Sequence, residues 1–342
     1  MSENKMKAWQ KQGLGLDNLK RVTLPVPVPG RNELLVKVKA VSLNFRDKAI
    51  IDGIYIPELM SRPFVPVSDA AGEVVQIGAD VSRFKVGDRV VSHLYTKWTD
   101  GIPAGDQAPS AIGGPNDGGL AEYMLLHEEA AVMTPSYMSD EEASTLPIAA
   151  LTSWFSLVDY GKIKAGDTVV VLGTGGVSVY AAQIAAALGA RVIATTSSDE
   201  KAGKMKALGV DAVINYVKQP DWENEVLKLT NGQGAQHILE VVGGDSLAKS
   251  VQAVSLQGNI YIIGFLKGLM AELNLFDVLA KQAGIRGIYV GHRTSFDQMV
   301  LAFNQLKIKP VIDKVYGFED AIAAYQHLAK GAFGKIVIRI QE

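Results

Sequence analysis

The sequence predicts an α/β protein in which a doubly wound parallel sheet is inserted between two pieces of a mostly β domain. Three observations predict it. Between residues 168 and 290, short β-branched runs alternate with helix-period segments, the pattern of a parallel sheet covered by helices. Before residue 130, apolar residues alternate at period two in short runs separated by Gly-Asp turns. A last β-branched run, 335–340, stands alone near the end of the chain and needs a partner strand from elsewhere. The 342 residues suit two domains at about 150 residues each, and a 48% hydrophobic content is enough for a core in both.

The elements follow in order. In the first piece, 1–130, the segments 34–41, 72–78 and 84–91 read as antiparallel strands. The Pro-rich segment 25–30 lacks donors at alternate positions and is expected as an edge or loop. Residues 95–119, rich in Gly, Pro, Asp and Ser, show no periodicity; a loop this long is expected to serve a function, here a lip over a substrate cleft with Trp98 in it. In the inserted domain, 131–290, strands are expected at 168–172, 191–195, 212–216, 237–242, 259–263 and 286–290. The last piece, 291–342, carries amphipathic segments at 296–306 and around 319–329 before the terminal strand returns to the first piece.

Composition removes several functions. With no cysteine, thiolate zinc lobes, iron–sulfur clusters, disulfides and cysteine nucleophiles are out. A formal net charge of −2 argues against a nucleic-acid partner. Residues 1–7 are charged rather than apolar, so no signal peptide is expected. The apolar stretch 179–190 is interrupted by Gln183 and falls short of the ~20 residues of a membrane span. A cytoplasmic protein with no membrane partner is the expectation.

The strongest chemical signal is a hydrophobic strand running into Gly173-Thr174-Gly175-Gly176-Val177-Ser178 and then a helix. Gly173 permits the tight turn and Gly175 lets backbone approach a pyrophosphate, whose charge sits at the helix N-terminus. Together these mark a Rossmann dinucleotide site. Ser178 replaces the usual third glycine but is small enough to keep helix and strand close. The second strand discriminates between dinucleotides. An NAD site places Asp or Glu at its end, about 20 residues past the glycines, on the ribose 2′-OH. Here Thr195-Thr196-Ser197-Ser198 stand there, leaving room for a 2′-phosphate that Lys201 can neutralise. NADP(H) is therefore expected over NAD(H). Ser197 or Ser198 also suits an N-cap, and both roles are compatible.

Several spaced motifs resemble the medium-chain dehydrogenase/reductase superfamily, in its zinc-independent, quinone-oxidoreductase-like branch. They are Ser42-Leu43-Asn44-Phe45-Arg46-Asp47, Pro66-Val67-Ser68-Asp69-Ala70-Ala71-Gly72-Glu73-Val74, Gly87-Asp88-Arg89-Val90, Leu146-Pro147 through Trp154, the glycine turn, and Phe333-Gly334-Lys335-Ile336-Val337. The resemblance implies a GroES-like catalytic domain interrupted by the Rossmann domain, and a homodimer joined through the Rossmann domains. In zinc-dependent relatives two cysteines and a histidine hold the catalytic metal; the positions corresponding to them here resemble Arg46, Ser68 and Ile148. Arginine and isoleucine do not ligate zinc, so no metal site is expected.

Without zinc to acidify an alcohol, the resemblance points to hydride delivery onto an acceptor that is already electron-poor, a quinone or an α,β-unsaturated carbonyl. It implies Asn44 near the nicotinamide and Tyr55 near the substrate; a second cleft tyrosine of some relatives corresponds to Ala49. It places Asp69 beside the cofactor cleft, where a purely loop-holding role is equally open. For the cofactor it adds Thr152 at the nicotinamide end, Lys201 and Tyr216 at the adenosine phosphate, Ile263, Gly264 and Phe265 after the fifth strand, and Phe333 and Lys335 near the C-terminus. The five histidines, 93, 127, 237, 292 and 327, lack metal-ligand spacing; His93 is placed either toward the cleft or in loop packing, and His292-Arg293 either at cofactor phosphates or at a plain strand exit. Two other functions stay open: a metal-free alcohol or carbonyl dehydrogenase, and a weakly catalytic NADP(H)-binding structural or redox-sensing protein.

Overall fold

The computed structural model describes residues 4–105 and 107–341. They form two compact units, one made of the residues up to Leu151 together with those from His292 onward, the other of Thr152–Gly291. The first unit begins with a hairpin, β1 (Lys5–Lys11) and β2 (Leu19–Pro25), and continues through β3 (Glu33–Leu43), β4 (Asp69–Ile77), β5 (Arg89–Ser92), β6 (Tyr123–His127) and β7 (Ala131–Met133). The second unit supplies β8 (Thr168–Val171), β9 (Arg191–Thr196), β10 (Ala212–Asn215), β11 (Ala235–Glu240), β12 (Val254–Ile262) and β13 (Gly284–Gly287). The chain then returns to the first unit with β14 (Ile312–Gly317) and β15 (Lys335–Arg339).

In the second unit the six strands are parallel in the order β10-β9-β8-β11-β12-β13, with the reversal of winding between β8 and β11. This is the doubly wound Rossmann order, and its switch point is the place where such sheets bind ligands. The central strands read as unbroken apolar runs because both faces are covered: Val169, Val170 and Val171 of β8 are all buried. In the first unit β15 pairs antiparallel with β3, Ile336 to Leu43 through Arg339 to Ala40, which is the predicted return of the terminal strand. The segment after Pro25 forms no strand, as the prolines require.

One expectation moves. The boundary expected at 130/131 falls instead at Leu151/Thr152. The reason is local: β7 pairs with β5, and Ile148 donates its N–H to Asp69, so the intervening residues belong with the GroES-like unit. Trp98, in the loop expected as a lip, is 4% exposed, and its indole N–H bonds the Gly101 carbonyl at 2.9 Å. The long loop is tied down at both ends. Thr99 accepts at its carbonyl from Thr294 N–H and Oγ1, both 2.9 Å, and Gly119 donates to the Val67 carbonyl at 2.7 Å. Among the described residues no helix is long and apolar enough to cross a membrane.

Candidate active site

The second unit builds a dinucleotide cradle. Gly173 sits in the left-handed region at φ 75°, and a side chain at Gly175 would meet nothing within 4 Å. Open space at both positions is what a pyrophosphate needs. Gly175 is also the N-cap of the 12-residue helix α2 (Gly176–Ala187), whose first N–H groups have no intrahelical acceptor. Ser178, in the third-glycine position, is buried and donates Oγ to the Leu172 carbonyl at 2.6 Å, so it joins helix to strand by a bond where glycine does so by lack of bulk. Thr195 Oγ1 takes the Gly173 N–H at 3.2 Å and fixes the turn from below.

The other expected cofactor residues gather at the carboxyl ends of the same strands. Thr196 ends β9 and Ser197 follows it, and Tyr216 follows β10 with its N–H on the Thr196 carbonyl at 2.9 Å. Lys201 lies in helix α3 (Asp199–Ala207), where its N–H reaches the N-cap oxygen of Ser198 at 3.4 Å. Ile263 and Gly264 follow β12 and donate to the Glu240 carbonyl at 2.8 and 3.2 Å, with Phe265 next in line. Thr152 is buried, and its neighbour Ser153 donates Oγ to the carbonyl of Val177 at 2.9 Å, tying that segment to the glycine turn with Thr174 and Gly176. Sequence reasoning missed Glu240. Its buried carboxylate accepts from Val242 N–H, Gly243 N–H, Ser246 Oγ and Ser250 Oγ at 2.6–3.0 Å, and so shapes the turn at the switch point. The signal was present: a lone carboxylate ending a hydrophobic strand before Val-Val-Gly-Gly.

The first unit holds a buried polar cluster. Asn44 follows β3 and caps helix α1 (Phe45–Ile51), where its N–H reaches Asp47 Oδ2 at 2.8 Å. Lys335, 3% exposed, donates Nζ to Asn44 Oδ1 at 2.6 Å and the Leu43 carbonyl at 2.9 Å, and stands 3.5 Å from Asp69 Oδ2. Asp69, fully buried, also accepts from Ser68 Oγ and Ile148 N–H. Burial pushes the Asp69 carboxyl up and the Lys335 ammonium down from their ordinary values, while each opposes the shift of the other. Val67, just before this site, takes φ 73°, a strained conformation for a β-branched residue. The tail of the long loop clamps it: a side chain at Gly118 would lie 2.2 Å from the Val67 carbonyl oxygen.

Tyr55 is half-buried beside Ile50, Met60 and Phe64, with the Arg46 guanidinium 5.3 Å from its ring centre. Thus Asn44 and Lys335 touch directly, while Tyr55 meets the Arg46 guanidinium. Phe333 is buried and gives its N–H to Asp313 at 3.2 Å. His93 is fully buried with Nδ1 on the Tyr95 carbonyl at 2.8 Å, and His292 caps helix α7 (Arg293–Leu306) through Ser295 N–H at 2.9 Å. The donor set in the place of a catalytic zinc does not fit one: Arg46 is a cation whose guanidinium bonds the Gly113 and Gly114 carbonyls, and Ile148 is aliphatic.

Comparisons with known proteins agree with this architecture. Residues 30–136 match the alcohol dehydrogenase GroES-like domain family and residues 176–305 the zinc-binding dehydrogenase family. A zinc-type alcohol dehydrogenase-like protein of Schizosaccharomyces pombe is 41% identical over 95% of this chain and 96% of its own. A chloroplastic quinone-oxidoreductase of Triphysaria versicolor is 32% identical over 99% of both chains. A solved structure of a provisionally assigned alcohol dehydrogenase from Sinorhizobium meliloti 1021 superposes with TM-score 0.93 at 42% identity, covering 99% of this chain and 100% of that one. The chain belongs to the medium-chain dehydrogenase/reductase superfamily, in its quinone-oxidoreductase-like branch. It is an oxidoreductase of that family, and the family implies a nicotinamide cofactor.

Proposed function

We propose that this protein transfers hydride from NADPH to a quinone or an α,β-unsaturated carbonyl without a metal. The observation that carries the reading is the replacement of a zinc donor set by the Arg46–Gly113–Gly114 arrangement and Ile148, which removes the Lewis acid that alcohol oxidation needs. The absence of a carboxylate at Thr196-Ser197 favours the phosphorylated cofactor. When bound, the nicotinamide supplies the hydride. In this reading Asn44 orients the cofactor, Lys335 fixes the Asn44 amide oxygen and so acts as a positioning residue, and Tyr55 donates to or clamps the acceptor oxygen that gains charge.

The test is NADPH oxidation at 340 nm across quinones, enones, alkenals and simple aldehydes, with metal analysis of the same sample. Quinones or enones should be the best acceptors, Tyr55→Phe should lower kcat/KM for them by about tenfold, and zinc should be substoichiometric. Simple aldehydes as best acceptors, or one tight zinc per chain, would overturn the reading.

We also infer a homodimer through the Rossmann units. Among the described residues, edge strand β13 pairs with β12 alone. Nearby, helix α6 (Leu275–Lys281) buries none of its side chains, and Leu275, Phe276 and Leu279 are 70%, 73% and 72% exposed. An open strand edge beside an apolar patch is a surface that a second copy covers well. Light scattering should give twice the chain mass, and Phe276→Asp together with Leu279→Lys should halve it; a monomeric wild type would sink the inference.

A further inference from the structure

The end of β9 is followed by two acids, Asp199 and Glu200, which a 2′-phosphate should find repulsive. Both are engaged. Asp199 Oδ2 meets Lys218 Nζ at 2.5 Å and its Oδ1 accepts from Asn215 Nδ2 at 2.7 Å, while Glu200 meets Lys204 at 2.8 Å. The Asp199 arrangement is built by the turn after β10. Thr196 and Asn215 are register partners at the carboxyl ends of β9 and β10. Asn215 then closes the turn three ways: its Oδ1 accepts from Val217 N–H at 3.1 Å, and its carbonyl from Lys218 and Gln219 N–H at 3.0 and 2.8 Å. That turn delivers Lys218 to Asp199. Both side chains are 66% exposed, so the pair contributes little to folding stability. Its position is what gives it meaning, because the carboxyl end of this strand is where Rossmann sheets read the ribose 2′ group.

We propose that Lys218 is a specificity-determining residue that favours NADPH by cancelling the charge of Asp199, without itself touching the cofactor. This rests on the NADP(H) reading above. A 2′-phosphate carries up to two negative charges, so an uncompensated carboxylate within a Debye length, about 10 Å at 0.1 M salt, opposes it and leaves NADH indifferent.

The experiment measures dissociation constants for NADPH and NADH by calorimetry on wild type, Lys218→Gln, Asp199→Asn and the double variant. Lys218→Gln should weaken NADPH about fivefold and leave NADH within about twofold, with the melting temperature moved by no more than about 1 °C. The double variant should bind NADPH to within about twofold of the wild type, because two opposite charges 2.5 Å apart then leave together. Unchanged NADPH binding, equal losses for both cofactors, or a full loss relative to the wild type that the double variant does not recover would each overturn the proposal. Tighter NADH binding by the wild type would overturn the NADP(H) reading instead, and the shift of the NADPH/NADH ratio on Lys218→Gln would still be measurable.

Discussion

Lys335→Met is expected to destabilise the catalytic unit by about 3–5 kcal/mol, because it leaves a buried charge without its counter-ion. Lys335 Nζ stands 3.5 Å from Asp69 Oδ2, and both side chains are almost fully buried. The methionine keeps the aliphatic stem and removes only the ammonium, so the cost is electrostatic. It also removes the donor that Asn44 Oδ1 and the Leu43 carbonyl share. The double variant, Lys335→Met with Asp69→Asn, should recover a large part of the loss, since removing both charges together abolishes the desolvation cost as well as the attraction. Urea denaturation of the wild type, both singles and the double measures this coupling. A single variant as stable as the wild type, or losses that simply add, would show that the pair does not hold this part of the fold.

The parts of this molecule that sequence exposed are those whose chemistry is local. The glycine turn was legible because one strand, four residues and one helix carry all of it, and the six parallel strands were legible from their alternation with helix-period segments. The return of β15 to β3 was legible because a short strand without a sequence neighbour must pair somewhere. The polar cluster was not. Asn44, Asp69 and Lys335 come from three distant strand ends, and nothing in the sequence around Lys335 says that its ammonium points inward instead of to a phosphate. The loop 95–119 was legible only in part for a related reason: composition identifies a segment without periodicity but not the partners that hold its ends, here Thr294 and the Val67 carbonyl. The Lys218–Asp199 pair depended on a turn geometry, set by Asn215, that brings residues from two strand ends together.

The same cluster should make stability depend on pH in an unusual direction. Asp47 is buried, its Oδ1 has no hydrogen-bond partner among the described residues, and its carboxyl is pushed up from 3.8 to about 6. Burial is the largest cause, reinforced by the like charge of Asp69, and the cations of Arg46 and Lys335 only partly offset it. Between these two values the native state holds a proton that the unfolded chain has released. Stability therefore falls as pH rises through this window, the reverse of a salt-bridged aspartate. A gap of about two pH units corresponds to about 3 kcal/mol between pH 4 and pH 7. Asp69, also raised by burial, adds in the same sense. Groups elsewhere act oppositely: burial lowers His237, and Glu141 lies below its ordinary value because the hydrogen bonds it accepts, from Arg339 and Ser139 among others, outweigh its burial. The raw profile is thus a composite, and the informative quantity is the difference between wild type and Asp47→Asn. The asparagine keeps the bond from Asn44 N–H and cannot ionise. That difference should grow by about 3 kcal/mol in favour of the variant from pH 4 to pH 7, read as urea midpoints at half-unit steps. A difference that stays flat would mean that Asp47 is ionised at no cost, and that Arg46 and Lys335 compensate it fully inside the fold.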